Sequence, residues 1–358
     1  MKQTNKHYFA LIAVAFVTFF SSCNKQTDIE PQFEKYLSFA SVEEYNTTLS
    51  KVLEMPEEER LAWEKQQGFT SFVTVSNEMY ETVAEKGLTL EQLQQKIEPL
   101  SEYLMLEQEE SGDYVLLHAL ESTPKRFLCN VNRIFKIENT LYKVFEDNIV
   151  MCNEKQYKTL LSLNETNYSA VIDDDFQLMF TESELKDDQY NVTLNGMTMV
   201  TPINSYRYLL ERRNDNGSNR TRIRVGFDVT RIQDNKYNYR LTGPLWGEAK
   251  PYKRVLGIWY ETNRTINCEF KIIIDEYNTT NQEWIRKPYY YRPNSQNTKT
   301  IYYTFDNFTV HYYTSIPNQE PTFSTFFYRR HIGALDCRAR TPDTDFAELS
   351  YNNQLINF

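Results

Sequence analysis

The hydrophobic period of this chain changes once, and that change limits what it can fold into. Up to Pro99 the apolar residues recur at helical spacing between recognisable caps; from Ser101 they alternate in short runs. Ser41-Val42-Glu43-Glu44 has the capping-box form, and Val42, Tyr45, Leu49 and Val52 follow on one face. Pro56 opens a second helix where its missing N–H has no intrahelical partner, Glu57, Glu58 and Glu59 favour the positive end of the dipole, and Gly68 ends it. The spacing predicts a third helix over 71–85. Thr89-Leu90-Glu91-Gln92 caps a fourth that stops at Pro99.

Beyond that point the sequence reads as strands. Alternation predicts strands over 103–106 and 114–118, a hairpin from 133–138 and 141–145, and a short helix over 155–163. After Thr166 strand signals dominate, at 192–200, 206–211, 222–230, 255–260, 268–275, 300–305, 308–313 and 322–328. Composition divides at the same place. Residues 23–165 carry 26 acids and 14 basic residues, 166–358 carry 23 of each, and 18 of the 26 tyrosines follow Thr166. The expectation is an α+β chain: a small acidic helical domain with β-hairpins over 36–165, then a larger Tyr-rich antiparallel β-sandwich-like domain over 166–358.

The first 35 residues stand apart. Lys2 and Lys6 precede an apolar run over 8–20, shorter than the roughly 20 residues a membrane-spanning helix needs, and Ser21-Ser22 supplies small residues for cleavage, so 1–22 reads as a signal peptide. Phe20-Ser21-Ser22-Cys23 resembles the lipobox of bacterial lipoproteins, with Phe20 where Leu is commonest. The resemblance implies lipid attachment at Cys23, a tether over 23–35 and an outer-membrane location, on the periplasmic or the surface face. The alternative is ordinary secretion with Cys23 as a spare thiol. Loss of the leader removes two lysines and no acid, leaving 37 basic residues against 49 acids. So acidic a chain is a poor partner for nucleic acid, whose phosphates want a basic field.

Four further cysteines, Cys129, Cys152, Cys268 and Cys337, permit two disulfides in an oxidising compartment, with Cys129–Cys152 and Cys268–Cys337 the natural pairing. Four buried free thiols are the equal alternative.

Three groups of segments, Phe39 to Tyr45, Glu59 to Glu64 with Gly68 to Ser71, and Phe135 to Ile137 with Leu141 to Lys143, resemble segments of uncharacterised lipoproteins of gut Bacteroides and relatives, a domain of unknown function. The likeness covers about the first 165 residues. It implies a lineage and no catalytic residues.

The sequence lacks H-E-x-x-H, G-x-S-x-G, the P-loop and G-x-G-x-x-G, which argues against the commonest zincins, α/β-hydrolases, P-loop and Rossmann enzymes. No cofactor, metal site or catalytic residue is assigned, and His118 alternates within a strand as a structural residue would. Acids are plentiful, so a hydrolase working through two carboxylates stays open. Asp173-Asp174-Asp175 reads as a solvated turn. The functional hint is aromatic: adjacent strand residues face opposite ways, so Tyr289-Tyr290-Tyr291, Tyr302-Tyr303 and Tyr312-Tyr313 should each expose a ring. Trp246, Trp259, Trp284, Tyr290, Tyr303 and Tyr312 are the candidate ligand platforms, suited to sugars or a protein anchor. Arg222 stands with Arg220 and Arg224 on one strand face, which could meet an anion, face water, or pair with the acidic half. Non-catalytic binding of a glycan or envelope protein is thus expected, with a glycosidase-like hydrolase and a structural envelope component as alternatives.

Overall fold

The computed structural model describes residues 35–84, 87–173, 175–179, 193–194, 197–198, 207–235, 237–278, 281–313 and 330–351. The expected strand at 322–328 lies outside them. Five α-helices occur among the described residues: α1 (Val42–Glu54), α2 (Glu57–Gln67), α3 (Phe72–Val83), α4 (Leu90–Ile97) and α5 (Tyr157–Ser162). The caps at Ser41, Gly68 and Thr89 are those the sequence announces, and Ser71, expected inside the third helix, is its N-cap. Ser41, Ser71 and Thr89 each accept a bond from the backbone N–H three residues on, Gly68 ends α2 in the left-handed conformation, and Thr89 with Gln92 completes a capping box. No helix among these residues is long and apolar enough to cross a membrane.

The strands are β1 (Ser38–Phe39), β2 (Leu104–Gln108), β3 (Tyr114–His118), β4 (Ile134–Ile137), β5 (Thr140–Val144), β6 (Ile149–Asn153) and β7 (Phe176–Leu178). Then come β8 (Thr193–Leu194), β9 (Met197–Thr198), β10 (Arg207–Asn216), β11 (Asn219–Asp228), β12 (Thr230–Asn235), β13 (Asn238–Val255) and β14 (Ile258–Glu261). The last six are β15 (Arg264–Asn278), β16 (Glu283–Tyr291), β17 (Gln296–Thr298), β18 (Ile301–Tyr313), β19 (Arg330–Arg340) and β20 (Ala347–Tyr351). They form a five-stranded sheet in the order β1-β4-β5-β6-β7, an eight-stranded sheet on the path β10-β11-β13-β14-β3-β2, and a five-stranded sheet on the path β16-β15-β19-β20, while β8 and β9 pair with each other. Mixed α+β is the class.

The expected boundary after Glu165 is not a seam between two cores. β3 pairs in parallel with β14, opposing Tyr114 to Ile258 and Val115 to Trp259, so the central sheet draws strands from both halves. The first sheet does the same, since β7 pairs with β6. One hydrophobic cluster contains Tyr45, Leu49 and Phe135 together with Ile223, Leu245, Phe270 and Ile272. Helix α1 lies over β18: its buried Asn46 donates through Nδ2 to Thr242 Oγ1 at 2.7 Å, and Asn307 donates back to the Asn46 carbonyl.

The disulfide expectation fails for a geometric reason. All four cysteines are free and buried. Cys129 belongs to the main core and Cys152 to a separate cluster with Leu141 and Phe176. Cys268 and Cys337 lie on paired strands but opposite Ala339 and Phe270, two positions out of register. Burial pushes the Cys129, Cys152 and Cys268 thiols up to about 12 and Cys337 higher still, as inert core cysteines.

Strand β13 is the long element the sequence hid, because Gly243, Pro244, Gly247 and Pro251 inside it read as loop. Three of them have a local reason. Pro244 falls where β13 passes from β11, whose pairing ends at Leu245, to β12, whose pairing ends at Thr242, so no residue of either strand is paired with it. Gly247 gives room to the rings of Phe270 and Phe305, since a Cβ there would stand 2.8 Å from Phe270. At Gly243 a Cβ would meet the backbone carbonyl oxygen of Asp228 at 1.8 Å. The strand expected over 255–260 is broken by the left-handed turn Leu256-Gly257, with β13 and β14 closing around it. Gly243→Ala is therefore expected to lower stability by about 3 kcal/mol, the upper end of overpacking penalties. An unchanged urea midpoint in that variant would show that the two strands can separate freely.

Candidate functional site

Period-two geometry puts Arg220, Arg222 and Arg224 of β11 on one face, beside Glu211 and Asp215 of β10 and Glu248, Lys250 and Tyr252 of β13. Elements of the acidic half cover that face. Glu109, from the turn between β2 and β3, takes a fork of two bonds from Arg220 at 2.5 and 2.9 Å. Glu121, just after β3, goes deeper. Its Oε1 accepts from Arg222 Nη2 at 2.6 Å and from Lys250 Nζ at 2.7 Å. Lys250 also donates to Glu261 of β14 at 2.6 Å, and Arg222 to Glu248 at 2.9 Å. The Arg stripe therefore pairs with the acidic half, through a turn and a strand end rather than through its helices.

Burial works against every ion in this cluster, and the opposite charges outweigh it. Arg222 and Lys250 hold Glu121 well below the usual carboxylate range. Lys250 and His118 hold Glu261 low in the same way, and Arg224 with Arg222 brings Glu211 to about 2. Lys250 is raised by Glu121 and Glu261. His118 is wedged between Ser76 and Glu261: its Nδ1 is 2.7 Å from Ser76 Oγ and its Nε2 is 3.4 Å from Glu261 Oε1. The Ser76 hydroxyl donates to the Tyr103 carbonyl at 3.0 Å, which leaves Nδ1–H of the ring as the donor to Ser76. Ser76 is fully buried and committed, so this Ser-His-Glu row holds a ring in place and offers no nucleophile.

An open cavity of about 530 Å³ rises from this cluster. Lys250, Glu261 and His118 form its floor and Arg60, Arg126 and Tyr302 line a corner; Asn77 and Tyr80 of α3, the end of α1 and the start of α2 make one wall, and Tyr291, Tyr303 and the 296–301 segment make the other. Tyr291 and Tyr303 stack with centroids 3.6 Å apart and planes 9° from parallel. A second cavity of about 710 Å³, lined by Glu109, Glu211 and Arg220, reaches the opposite side of His118.

The residues singled out in the sequence separate into three places. Trp246, Trp259 and Arg222 are each about 1% exposed and are no ligand platform. Trp259 is the floor for Arg220, whose guanidinium carbon lies 4.0 Å from the indole, and Trp246 packs towards Tyr302. A large aromatic on a strand buried from both sides has no outer face to show. Trp284 and Tyr290 are 48% and 51% exposed on the outer face of β16, with Pro288 and Arg286 between them. Tyr303 alone of the set reaches the cavity; the side chain of Tyr312 lies outside the described residues. Asp173 accepts the backbone N–H groups of Asp175 and Phe176, the turn geometry expected of it.

No family model and no curated protein matches it. Among solved structures it is similar to a DUF4848 family protein from Bacteroides thetaiotaomicron, at 11% identity and a TM-score of 0.26, covering 87% of this chain and 96% of that one. It is also similar to the variable domain of the AgI/II polypeptide BspA of Streptococcus agalactiae, at 7% identity and a TM-score of 0.15, over 43% of this chain and 85% of that one. At these scores neither likeness informs the site, which rests on its own geometry.

The depressed carboxylates fix the sign of a pH effect. Groups whose folded pKa lies below the unfolded value stabilise fully above the ordinary carboxylate range and lose that contribution as pH falls. The urea midpoint is expected to fall progressively below about pH 4.5, the ordinary value. Glu121→Gln, which takes from Arg222 and Lys250 one of the two carboxylates each bonds, should start about 3 kcal/mol less stable at neutral pH and show a shallower acid limb. A wild-type midpoint that is level down to pH 3 would show that these carboxylates ionise alike in both states.

Proposed function

We propose that this chain is a lipid-anchored cell-envelope protein, held at Cys23 in the outer membrane, whose cavity binds a glycan without chemically changing it. What carries the reading is the pairing, in one open cavity of about 530 Å³, of the stacked Tyr291 and Tyr303 rings with the hydrogen-bonding side chains Asn77, Asn297, Thr298 and Thr300. The volume lies within the range of small-ligand sites, which span about 300–1,000 Å³. Stacked rings offer a flat apolar face to a sugar ring and the amides and hydroxyls answer its hydroxyl groups. The ions on the floor are matched to one another, which suits a rigid base. A sandwich-like packing of the two larger β-sheets, implied by the core they share, would supply the scaffold.

A hydrolase is the second reading, favoured by one observation. Glu54, on the cavity wall, has its carboxyl raised by burial, while Glu261 on the floor is held low by Lys250 and His118 against its own burial. Carboxyls pushed apart in this way are what glycosidic acid and base catalysis uses. Glu54 sits at the exposed end of α1, and a proton donor there is poorly shielded from water. The non-catalytic reading is preferred on that ground. A protein partner would instead meet the outer face of β16, through Trp284, Pro288 and Tyr290.

Glycan-array binding by the fragment from Asn24 onward decides between these. Binding is expected, with Tyr303→Ala and Tyr291→Ala each weakening it about tenfold, equivalent to about 1.4 kcal/mol, and Trp284→Ala leaving it unchanged. Loss of binding on Trp284→Ala alone would move the site to the outer face, and release of shortened oligosaccharide would establish the hydrolase. Silence on every glycan would end the carbohydrate version. For the anchor, Cys23→Ser should shift the chain from the detergent-extracted membrane fraction to the soluble one; continued membrane retention would refute lipid attachment at Cys23.

A further inference from the structure

One corner of the cavity is basic, and the protein leaves part of its hydrogen-bonding capacity unmet. Arg60 of α2 and Arg126 of the 3-10 turn Pro124–Phe127 lie against the same ring, with guanidinium carbons 5.3 and 5.4 Å from the Phe127 centroid. Both line the cavity and both are buried, at 6% and 3% exposed. Burial is the main cause that lowers the Arg60 guanidinium, and the nearby positive charge of Arg126 adds to it. Like charges have therefore been set side by side. Arg60 approaches Glu64 and Glu57 at 3.8 and 3.9 Å, too far for hydrogen bonds. Glu64 is already engaged by the Ser71 N–H, the Ser71 hydroxyl and the Thr74 hydroxyl.

Arg126 is the less satisfied of the two. Its Nη2 donates to the Tyr302 hydroxyl at 2.6 Å, and among the described residues no carboxylate is hydrogen-bonded to it, although Tyr302 and, farther off, Glu121, Glu248 and Glu261 hold its guanidinium charged against burial. Nε and Nη1 of Arg126 and Nε of Arg60 are buried donors without an acceptor. Buried donors are almost always met in native proteins, and an unmet group calls for a reason. Three in one corner of an open cavity, on two charged side chains braced by one aromatic ring, have a reason if the acceptor comes from outside. Arg222 and Arg224 also leave one nitrogen each unmet, but they, like Arg220, reach a carboxylate at hydrogen-bond distance, which Arg60 and Arg126 do not.

We propose that Arg60 and Arg126 form an anion subsite of this cavity, and that the group it takes is an oxyanion carried by the ligand, such as the carboxylate of an acidic sugar or a sulfate or phosphate ester. The inference rests on the reading of the cavity as a glycan site and names the class of glycan. A guanidinium presents its N–H groups as a planar fork that matches two oxygens of such a group, and Arg is favoured over Lys wherever that match matters. Phe127 holds both planes in place and keeps water from one side of them, and Tyr302 fixes the tilt of Arg126.

The test titrates the purified full-length chain with glucuronate, glucose and inorganic sulfate at constant ionic strength, following melting temperature and intrinsic fluorescence. Saturable binding of glucuronate or sulfate at least tenfold tighter than glucose is expected. Arg126→Gln and Arg60→Gln should each weaken it tenfold or more, Arg126→Lys should recover part of it, and Arg286→Gln on the outer face of β16 should change nothing. Unliganded Arg126→Gln is expected to melt close to wild type, because the one hydrogen bond the side chain makes in the folded chain is to Tyr302; a purely structural arginine would predict a large fall. Equal affinity for glucose and glucuronate, or a binding curve indifferent to Arg126→Gln, overturns the subsite and leaves the glycan reading standing. Sulfate binding that Arg126→Gln abolishes, with silence on every glycan, keeps the subsite and overturns the glycan reading. Should that variant not fold, the Nε–H resonances of Arg60 and Arg126 in the wild-type chain must move on saturation with sulfate, and stationary resonances overturn the proposal.

Discussion

Glu121 joins the two compositions of this chain. Its Oε1 accepts from Arg222 and Lys250, cations on adjacent strands of the Tyr-rich half, while its own backbone follows directly from β3 in the acidic half. A carboxylate so deep is tolerated only because two cations meet it, and two cations so deep are tolerated only because carboxylates meet them. The surrounding pieces follow from that. Tyr252 packs under Arg222, Lys250 turns its remaining capacity to Glu261, and Glu261 in turn faces His118. Nearby, Lys125 and Asp228 form a second fully buried pair between the same two parts of the chain. The two compositions thus meet in internal contacts, with acids of the first part on cations of the second at Glu121 and the reverse at Lys125.

Such a contact specifies more than it stabilises. Buried ion networks roughly break even against a well-packed apolar core, whereas a misplaced one leaves charges stranded. The register of β11 on β13 is fixed by this asymmetry. A one-residue slip would send Arg220, Arg222 and Arg224 into the face that holds Ile223 and Val225, against Phe270 and Leu335 of the same core, and bring those apolar residues onto Glu109 and Glu121.

How much of this was legible depended on how local the signal was. Helix caps are written within four residues, so Ser41 and Thr89 begin their helices and Gly68 ends one where the sequence says. The alternation of Arg220, Arg222 and Arg224 was legible as a face, but the face's partners were not, because Glu109 and Glu121 are more than a hundred residues away. A local signal for the other side did exist. Glu248, Lys250 and Tyr252 alternate in the same way, but Pro244, Gly247 and Pro251 around them read as loop and hid the strand that carries them. Trp246 and Trp259 were misplaced for a related reason: one aromatic of an adjacent pair is exposed on an edge strand such as β16, whereas a central strand covered on both faces exposes neither. Arg60 and Arg126 gave no sequence signal, since Phe127 brings together a helix and a turn far apart in the chain.

The two kinds of arginine differ in consequence. Arg222 is surrounded by groups whose positions the fold dictates, so its electrostatics are complete in the folded chain and any added ligand would have to displace an internal partner. Arg126 shares the same low-polarity surroundings but lacks such a partner, and the same scarcity of water that makes Arg222 a rigid strut leaves Arg126 with interaction energy unspent. Arg222 and Lys250 each bond two carboxylates, whereas Arg126 bonds none and lines an open cavity beside Tyr302, whose neighbour Tyr303 carries the stacked aromatic face. A binding site needs both qualities, a scaffold that does not yield and a few groups left wanting. The matched floor and the unmatched corner provide one each.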